Sequence, residues 1–306
     1  MKALLVYNSF SGRSKLSHKI NYIKAELAKS FILDYFPTKG PKSITEYIIN
    51  NGHNYDLVIA AGGDGTVHEA INGIMALDKK MKFAVIPTGT CNDLAKSLGY
   101  NKNYKRSVKI IKEGISSSMD VCTVNNEFFI YGLAAGRLTE ISYATSHKSK
   151  LAFGKLSYYS NVLRIVNGTK PIGNIKLTLD DKECIDEDLS LFLATNSRYL
   201  AGFKLRGWKD IHLNDNKLQL LLIDRRSKIH SIELFARALL LGRFKSKHVR
   251  FLEASKIKIE SENGINYNTD GELLDNISSI TVGILSNAIN VIGSKKVINR
   301  YFSKRD

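Results

Sequence analysis

The chain has 306 residues, 43% hydrophobic and 24% charged, which suits one large or two ordinary globular domains with real cores. Lys and Arg number 45 against 29 Asp and Glu, and the resulting charge of +16 favours an anionic partner: nucleic acid, an anionic membrane or phosphorylated substrates. The three cysteines, Cys91, Cys122 and Cys184, are odd in number and widely spaced, which excludes a disulfide framework or zinc spacing and makes a reducing compartment the default.

The N-terminal apolar run Ala3 to Tyr7 is too short for a signal peptide and reads as a first strand. No later stretch approaches ~18 uninterrupted apolar residues, so no spanning helix is expected. Asn8, Ser9, Phe10, Ser11 and Gly12 form a polar loop before a helix from Ser14 to Lys29, whose register is set by Leu16, Ile20, Ile23 and Leu27. Phe31 to Phe36 reads as a second strand, and a helix follows around Ile44 to Asn50.

Leu57 to Ala61 is a short apolar run with β-branched residues, the mark of a buried parallel strand. After it, Val67, Ala70, Ile71, Ile74 and Met75 keep the spacing of an amphipathic helix. Gly62, Gly63 and Gly65 therefore sit on a strand-to-helix turn. Glycine there admits a ligand to bare backbone, and the helix start offers free N–H groups and partial positive charge to an anion. Asp64 sits among these features, placed to hold Mg²⁺ beside a nucleotide phosphate, directly or through water. Taken alone, such a turn also serves simply to reverse the chain. It lacks the Lys of a Walker A loop and the spacing of a dinucleotide fingerprint.

Phe83 to Ile86 reads as the next strand and leads into Pro87-Thr88-Gly89-Thr90-Cys91-Asn92-Asp93, with a helix beginning at Leu94. Two such loops beyond the carboxyl ends of consecutive parallel strands mark the ligand-binding edge of an α/β sheet. Ser107 to Lys112 reads as a last helix of the first domain. From Met119 onward the pattern turns to strands: Met119 to Val124, Glu127 to Ala134, Ile175 to Leu179, Leu189 to Thr195, Leu218 to Ile223, Ile257 to Ser261 and Ile280 to Leu285. Many short strands with few helices argue for a β-rich second domain. Lys148 to Val166 is basic and aromatic, with Leu156, Tyr159, Leu163 and Val166 on one helix face. Ile229 to Leu241 is a helix with Ile232, Phe235 and Leu239 on one face, ringed by Arg225, Arg226, Lys228, Arg237, Arg243, Lys245, Lys247 and Arg250. It reads as an ordinary core helix with a solvated rim or as a docking surface for anionic lipid.

Together, Gly62-Gly63-Asp64-Gly65-Thr66 and Pro87-Thr88-Gly89-Thr90-Cys91-Asn92-Asp93 resemble the catalytic domain of the diacylglycerol kinase family, which includes ceramide and sphingosine kinases and soluble bacterial lipid kinases. The resemblance implies α/β plus all-β architecture. An N-terminal Rossmann-like, NAD kinase/phosphofructokinase-like nucleotide domain covers residues 1 to 122, and a C-terminal segment from about 287 returns to it. A β-sandwich-like lipid-substrate domain covers residues 123 to 286.

The resemblance further implies ATP and Mg²⁺. ATP contacts fall on Asn8, Ser9, Phe10, Ser11, Gly12, Thr38, Gly62, Gly63, Asp64, Gly65, Thr66, Val67, His68, Glu69 and Thr90, with Asn92 and Asp93 on the second loop. Ser9 stands where the family usually has Pro, and His68 where Asn is frequent. Thr269-Asp270-Gly271-Glu272 is similar to the family's Asp-Gly-Glu turn, so Glu272 is the expected general base, with Asp270 and Asp64 as catalytic carboxylates. A structural Mg²⁺ site falls on His212, Asp215 and Lys217. Of these, Asp215 would bind by its carboxylate and the others by backbone carbonyls.

The expected function is transfer of the γ-phosphoryl group of ATP to a lipid hydroxyl, first of all that of diacylglycerol. The expected place is the inner face of an anionic membrane, from the cytoplasm and as a peripheral protein, and the resemblance allows a homodimer. Phosphatidylglycerol or a ceramide- or sphingosine-like alcohol is the alternative acceptor. An NAD kinase and a non-catalytic lipid-binding module remain as other readings. Nucleic-acid binding has only the net charge behind it.

Overall fold

The computed structural model describes residues 1–8, 15–125, 127–136, 172–200, 202–205, 211–225, 234–235, 237, 246–270 and 272–303. The basic segment 148–166 and nearly all of 229–241 lie outside them. The chain divides into two compact units. Unit 1 comprises Met1–Val121, His212–Asp215 and Ser286–Asp306. Unit 2 comprises Cys122–Ile211 and Asn216–Leu285.

In unit 1 four parallel strands, β1 (Lys2–Tyr7), β2 (Ile32–Pro37), β3 (Leu57–Gly62) and β4 (Lys82–Pro87), lie in the order β4–β3–β1–β2. Their register sets Ala3 beside Leu57 and Leu57 beside Lys82. Every residue of β3 is buried, as its unbroken apolar run demands of a strand covered on both faces. At the edge, β2 leaves Ile32 and Tyr35 exposed. Around the sheet lie α1 (Lys15–Ala28), α2 (Ser43–Asn51), α3 (Asp64–Met75), α4 (Asp93–Ser97) and α5 (Tyr104–Glu113). The N-terminus of α5 is capped by Asn103, whose side chain accepts the Arg106 N–H at 3.2 Å, and it ends at Gly114 in the left-handed region.

Unit 2 is dominated by antiparallel sheet. β5 (Ser116–Val124) begins in unit 1 and enters unit 2 at Cys122. Then come β6 (Glu127–Phe129), β7 (Leu133–Gly136), β8 (Gly173–Leu179), β9 (Glu183–Thr195), the short pair β10 (Tyr199–Leu200) and β11 (Phe203–Lys204), β12 (Leu218–Asp224), β13 (Val249–Ala254), β14 (Lys256–Thr269) and β15 (Glu272–Ile292). The main path runs β13–β12–β9–β7–β14–β15, and β8 pairs with both β9 and β14. Phe129, Phe192, Leu220, Ile257, Ile259, Tyr267 and Val282 share its core.

From Ser286 onward β15 belongs to unit 1, where Asn290 and Val291 pair in parallel with Lys82 and Phe83 of β4. The last helix, α6 (Lys295–Tyr301), follows.

Two expectations change. The span Glu127 to Ala134 is not one strand but β6 and β7, broken at 130–132 because those backbone N–H groups turn to Asp270 instead of a neighbouring strand. β14 and β15 run well beyond the apolar stretches that announce them, since their outward positions are polar.

Candidate active site

The four parallel strands bring the expected nucleotide residues to one edge of the sheet. Asn8 follows β1, Thr38 follows β2, Gly62 ends β3 with Gly63 to Glu69 after it, and Thr88 to Asp93 follow β4. The backbone ties them together there. The Asn8 N–H donates to Ala61 O (3.2 Å), the Thr38 N–H to Tyr7 O (2.8 Å), and the Thr88 N–H to Gly62 O (2.9 Å). Ser9, Phe10, Ser11 and Gly12 lie outside the described residues.

The loops after β3 and β4 are locked to each other by Asp64. Its Oδ2 accepts the Asn92 N–H at 2.8 Å and its Oδ1 the Asp93 N–H at 2.7 Å. Asn92, in the left-handed region at φ 55° that Asn tolerates, closes its own loop. Its Oδ1 accepts the Gly89 N–H (2.9 Å) while its Nδ2 donates to Gly89 O (2.7 Å). The side-chain amide supplies acceptor and donor at once where an ionised carboxylate only accepts, so the position calls for Asn rather than Asp. Asp93 is buried, with its carboxylate 3.9 Å from the Lys96 ammonium.

The two loops approach so closely that a Cβ on Gly89 would lie 2.5 Å from Gly63 Cα. A Cβ on Gly65 would meet nothing within 4 Å, so the start of α3 opens onto free space. The Thr88 Oγ1 is buried without a hydrogen-bond partner among the described residues. Bare backbone, a 12-residue helix opening at Asp64 and an orphaned hydroxyl together fit a phosphate. Thr88 escaped the sequence reading, although it stands inside the motif; nothing marks its hydroxyl until burial does.

Glu69 and Thr38, two of the expected nucleotide residues, also make bonds within the scaffold. Glu69 Oε2 accepts the Ile44 N–H (3.2 Å), capping α2 from α3, and the Thr45 hydroxyl donates to Glu69 O (2.9 Å). Thr38 Oγ1 bonds Ser43 Oγ at 2.9 Å and Gly40 O at 3.1 Å. Thr66 and Val67 are buried, His68 is half-buried, and Thr90 is exposed.

In unit 2, Asp270 sits at φ 51° in the turn between β14 and β15. Its Oδ2 accepts the Ile130 N–H (2.7 Å), and its Oδ1 accepts those of Tyr131 (2.8 Å) and Gly132 (3.2 Å). This carboxylate orders the turn from which β15 starts. Glu272, first residue of β15, pairs in register with Thr269 and presents an exposed side chain.

The expected structural cation residues divide. His212 and Asp215 belong to unit 1, where Leu213 O accepts the N–H of the buried Asp120 at 2.8 Å and the Leu213 N–H donates to Tyr301 O at 3.1 Å. Lys217 belongs to unit 2, and its ammonium lies 3.3 Å from Glu253. Among the described residues no three His, Cys, Asp or Glu side chains cluster as metal ligands. A cation at the 212–215 turn would therefore take one carboxylate and otherwise backbone carbonyls, the oxygen donors a hard ion accepts.

Comparisons with known proteins find relatives over both parts of the chain. Residues 2–124 match the model of the diacylglycerol kinase catalytic domain. Residues 136–293 match that of the YegS C-terminal NAD kinase beta sandwich-like domain. The chain is 29% identical to a diacylglycerol kinase of Bacillus subtilis (strain 168) over 283 residues, 89% of either chain. It is also 29% identical to a diacylglycerol kinase of Staphylococcus aureus (strain MRSA252) over 308 residues, covering 100% of this chain and 96% of that one. The crystal structure of a diacylglycerol kinase from Bacillus anthracis str. Sterne shares the fold at a TM-score of 0.78 and 23% identity, over 97% of this chain and 98% of that one.

Proposed function

The chain belongs to the diacylglycerol kinase catalytic-domain family and is a lipid kinase, and from that premise we propose that it moves the γ-phosphoryl group of ATP to the free hydroxyl of diacylglycerol, giving phosphatidic acid. The observation that carries this reading is the Asp64 carboxylate locking two glycine-containing loops at the carboxyl edge of a parallel sheet.

The N–H groups at the start of α3 and the bare backbone at Gly63 and Gly89 hold the phosphates of ATP. An ionised carboxylate has about four lone-pair sites, so Asp64 keeps acceptor capacity beyond its two backbone bonds and would hold Mg²⁺ directly or through water. When bound, Mg²⁺ supplies charge neutralisation on the phosphate oxygens. Glu272 takes the proton of the lipid hydroxyl as its oxygen forms the new bond to the γ-phosphorus. The bond from that phosphorus to the bridging oxygen breaks, and ADP leaves with the electron pair. Asp270 positions the turn that carries Glu272. Positioning and charge supply most of the acceleration. ATP supply places the enzyme at the cytoplasmic face of the membrane.

The test is label transfer from γ-labelled ATP to mixed micelles containing diacylglycerol, phosphatidylglycerol, ceramide or sphingosine, with NAD alongside. Label in phosphatidic acid, lost on chelation of Mg²⁺, is the expected result. Label in another lipid alone overturns the acceptor, and label in NADP alone overturns lipid phosphorylation.

A further inference from the structure

Unit 1 also carries a concave feature that shares no residue with the loops after β3 and β4. It is a cleft of about 580 Å³ between α5 and α6. Its floor includes Gly99, Ile110 and Val297. Arg106 and Lys109 of α5 stand on one side, and Lys295 and Lys296 of α6 on the other. Glu113 is the carboxylate among the lining residues.

The frame beneath this cleft is closely packed and hydrogen-bonded. Gly99 has φ 85° and lies so close to Ser294 and Val297 that a Cβ there would collide with both. The Ser294 N–H donates to Leu98 O (3.0 Å), the Gly293 N–H to Ile115 O (3.0 Å), and the buried Tyr100 hydroxyl to Ile292 O (2.9 Å). The two helices that bear the cations are thus held at a fixed spacing.

Four exposed cations around one cleft repel one another, and among the described residues none of the four pairs with a carboxylate. Of the basic residues expected around Ile229 to Leu241, the described Arg225 pairs with Asp188 at 3.7 Å and Arg250 with Glu187. An arrangement of like charges is offset by anions brought from outside. The four heads are exposed, and an exposed, screened cluster holds a lone phosphate weakly. A surface of many anionic headgroups meets all four cations at once, at about fivefold in partitioning per basic side chain.

We propose that the α5–α6 cleft docks the phosphate headgroups of anionic phospholipid, holding unit 1 at the membrane. The choice of lipid as occupant rests on the lipid-kinase reading; the charge complementarity does not.

The test is co-sedimentation of the full chain, without ATP, with phosphatidylcholine vesicles containing or lacking phosphatidylglycerol. The variants are Lys109→Glu/Lys296→Glu and, as a control of equal charge change at exposed lysines of unit 2, Lys182→Glu/Lys204→Glu. Binding to the anionic vesicles should fall about 25-fold or more in the cleft variant and far less in the control, with both melting like the parent. An equal fall in both variants, or none in either, overturns the proposal. So does inorganic phosphate binding that the cleft variant abolishes while its vesicle binding stays at the parent level, which would assign the cleft to a free ion. Phosphorylation of a water-soluble short-chain diacylglycerol is read in parallel. Its absence in a protein that still docks overturns the kinase reading alone. Its persistence beside unchanged docking of the cleft variant overturns the docking proposal alone.

Discussion

The backbone N–H of Asp93 donates to the carboxylate of Asp64 at 2.7 Å, joining the loops after β4 and β3 through a charge-assisted hydrogen bond. The second oxygen of Asp64 takes the neighbouring Asn92 N–H, so one side chain holds the start of α4 against the start of α3.

Asp64→Ala should therefore do two things at once. Turnover should fall to background, and the protein should lose about 2–3 kcal/mol of stability as two N–H groups lose a charged acceptor. Activity assays and thermal melting of the same preparation check this. A parent-like melting curve would show that the two bonds do not carry the loop.

Gly89→Ala tests the close approach of the loops. The added methyl would press on Gly63 Cα, which must move. A cost of about 1–3 kcal/mol is expected. KM for ATP should rise as the phosphate-facing backbone shifts, which steady-state kinetics at varied ATP would detect. Unchanged ATP kinetics would remove these glycines from the nucleotide site.

Glu272→Gln probes the base. The side chain is exposed, so the fold and ATP binding should be preserved. kcat should drop by roughly 10²–10⁴. ATP binding by calorimetry and turnover on micellar diacylglycerol separate the two. Turnover near the parent level would exclude Glu272 as the base.

Tyr100 supplies a pH prediction. Burial pushes its phenol well above the usual tyrosine range, with a backbone hydrogen bond to Val85 opposing in part. The folded pKa lies above the unfolded one, so the contribution is complete below about pH 10 and is lost as pH rises beyond it. Tyr100→Phe should cost about 1–2 kcal/mol at neutral pH, because Ile292 O loses its donor. It should also flatten the alkaline loss of stability, which urea melts at pH 8 to 11 would read. An identical alkaline slope in the variant would assign the loss to other groups.

Much of unit 1 was legible along the chain because its inner strands β1, β3 and β4 are short, largely buried apolar runs and its loops carry their own glycines. Leu57 to Ala61 announces itself as an unbroken apolar run and Val67 to Met75 by its helical period, within a residue of β3 and within a turn of the start of α3. The break between β6 and β7 does not, since the carboxylate that turns 130–132 out of the ladder stands about 140 residues away. Asn92 shows the same division. Its place in a polar loop after a strand is plain, yet its paired bonds to Gly89 exist only once φ is positive.

The sequence by itself determined the parallel apolar strands, the glycine turns that follow them, the basic excess and the resemblance those motifs carry. These are local or compositional, and each is written within a dozen residues or summed over all of them. Only the tertiary structure decided that Asp64 is a clamp between loops, that Glu69 caps a different helix, that Asp270 grips a distant turn and that Arg106, Lys109, Lys295 and Lys296 meet across one cleft. Hydrogen bonds and charges act over a few ångströms in space, and separation along the chain says nothing of that distance until the core has packed.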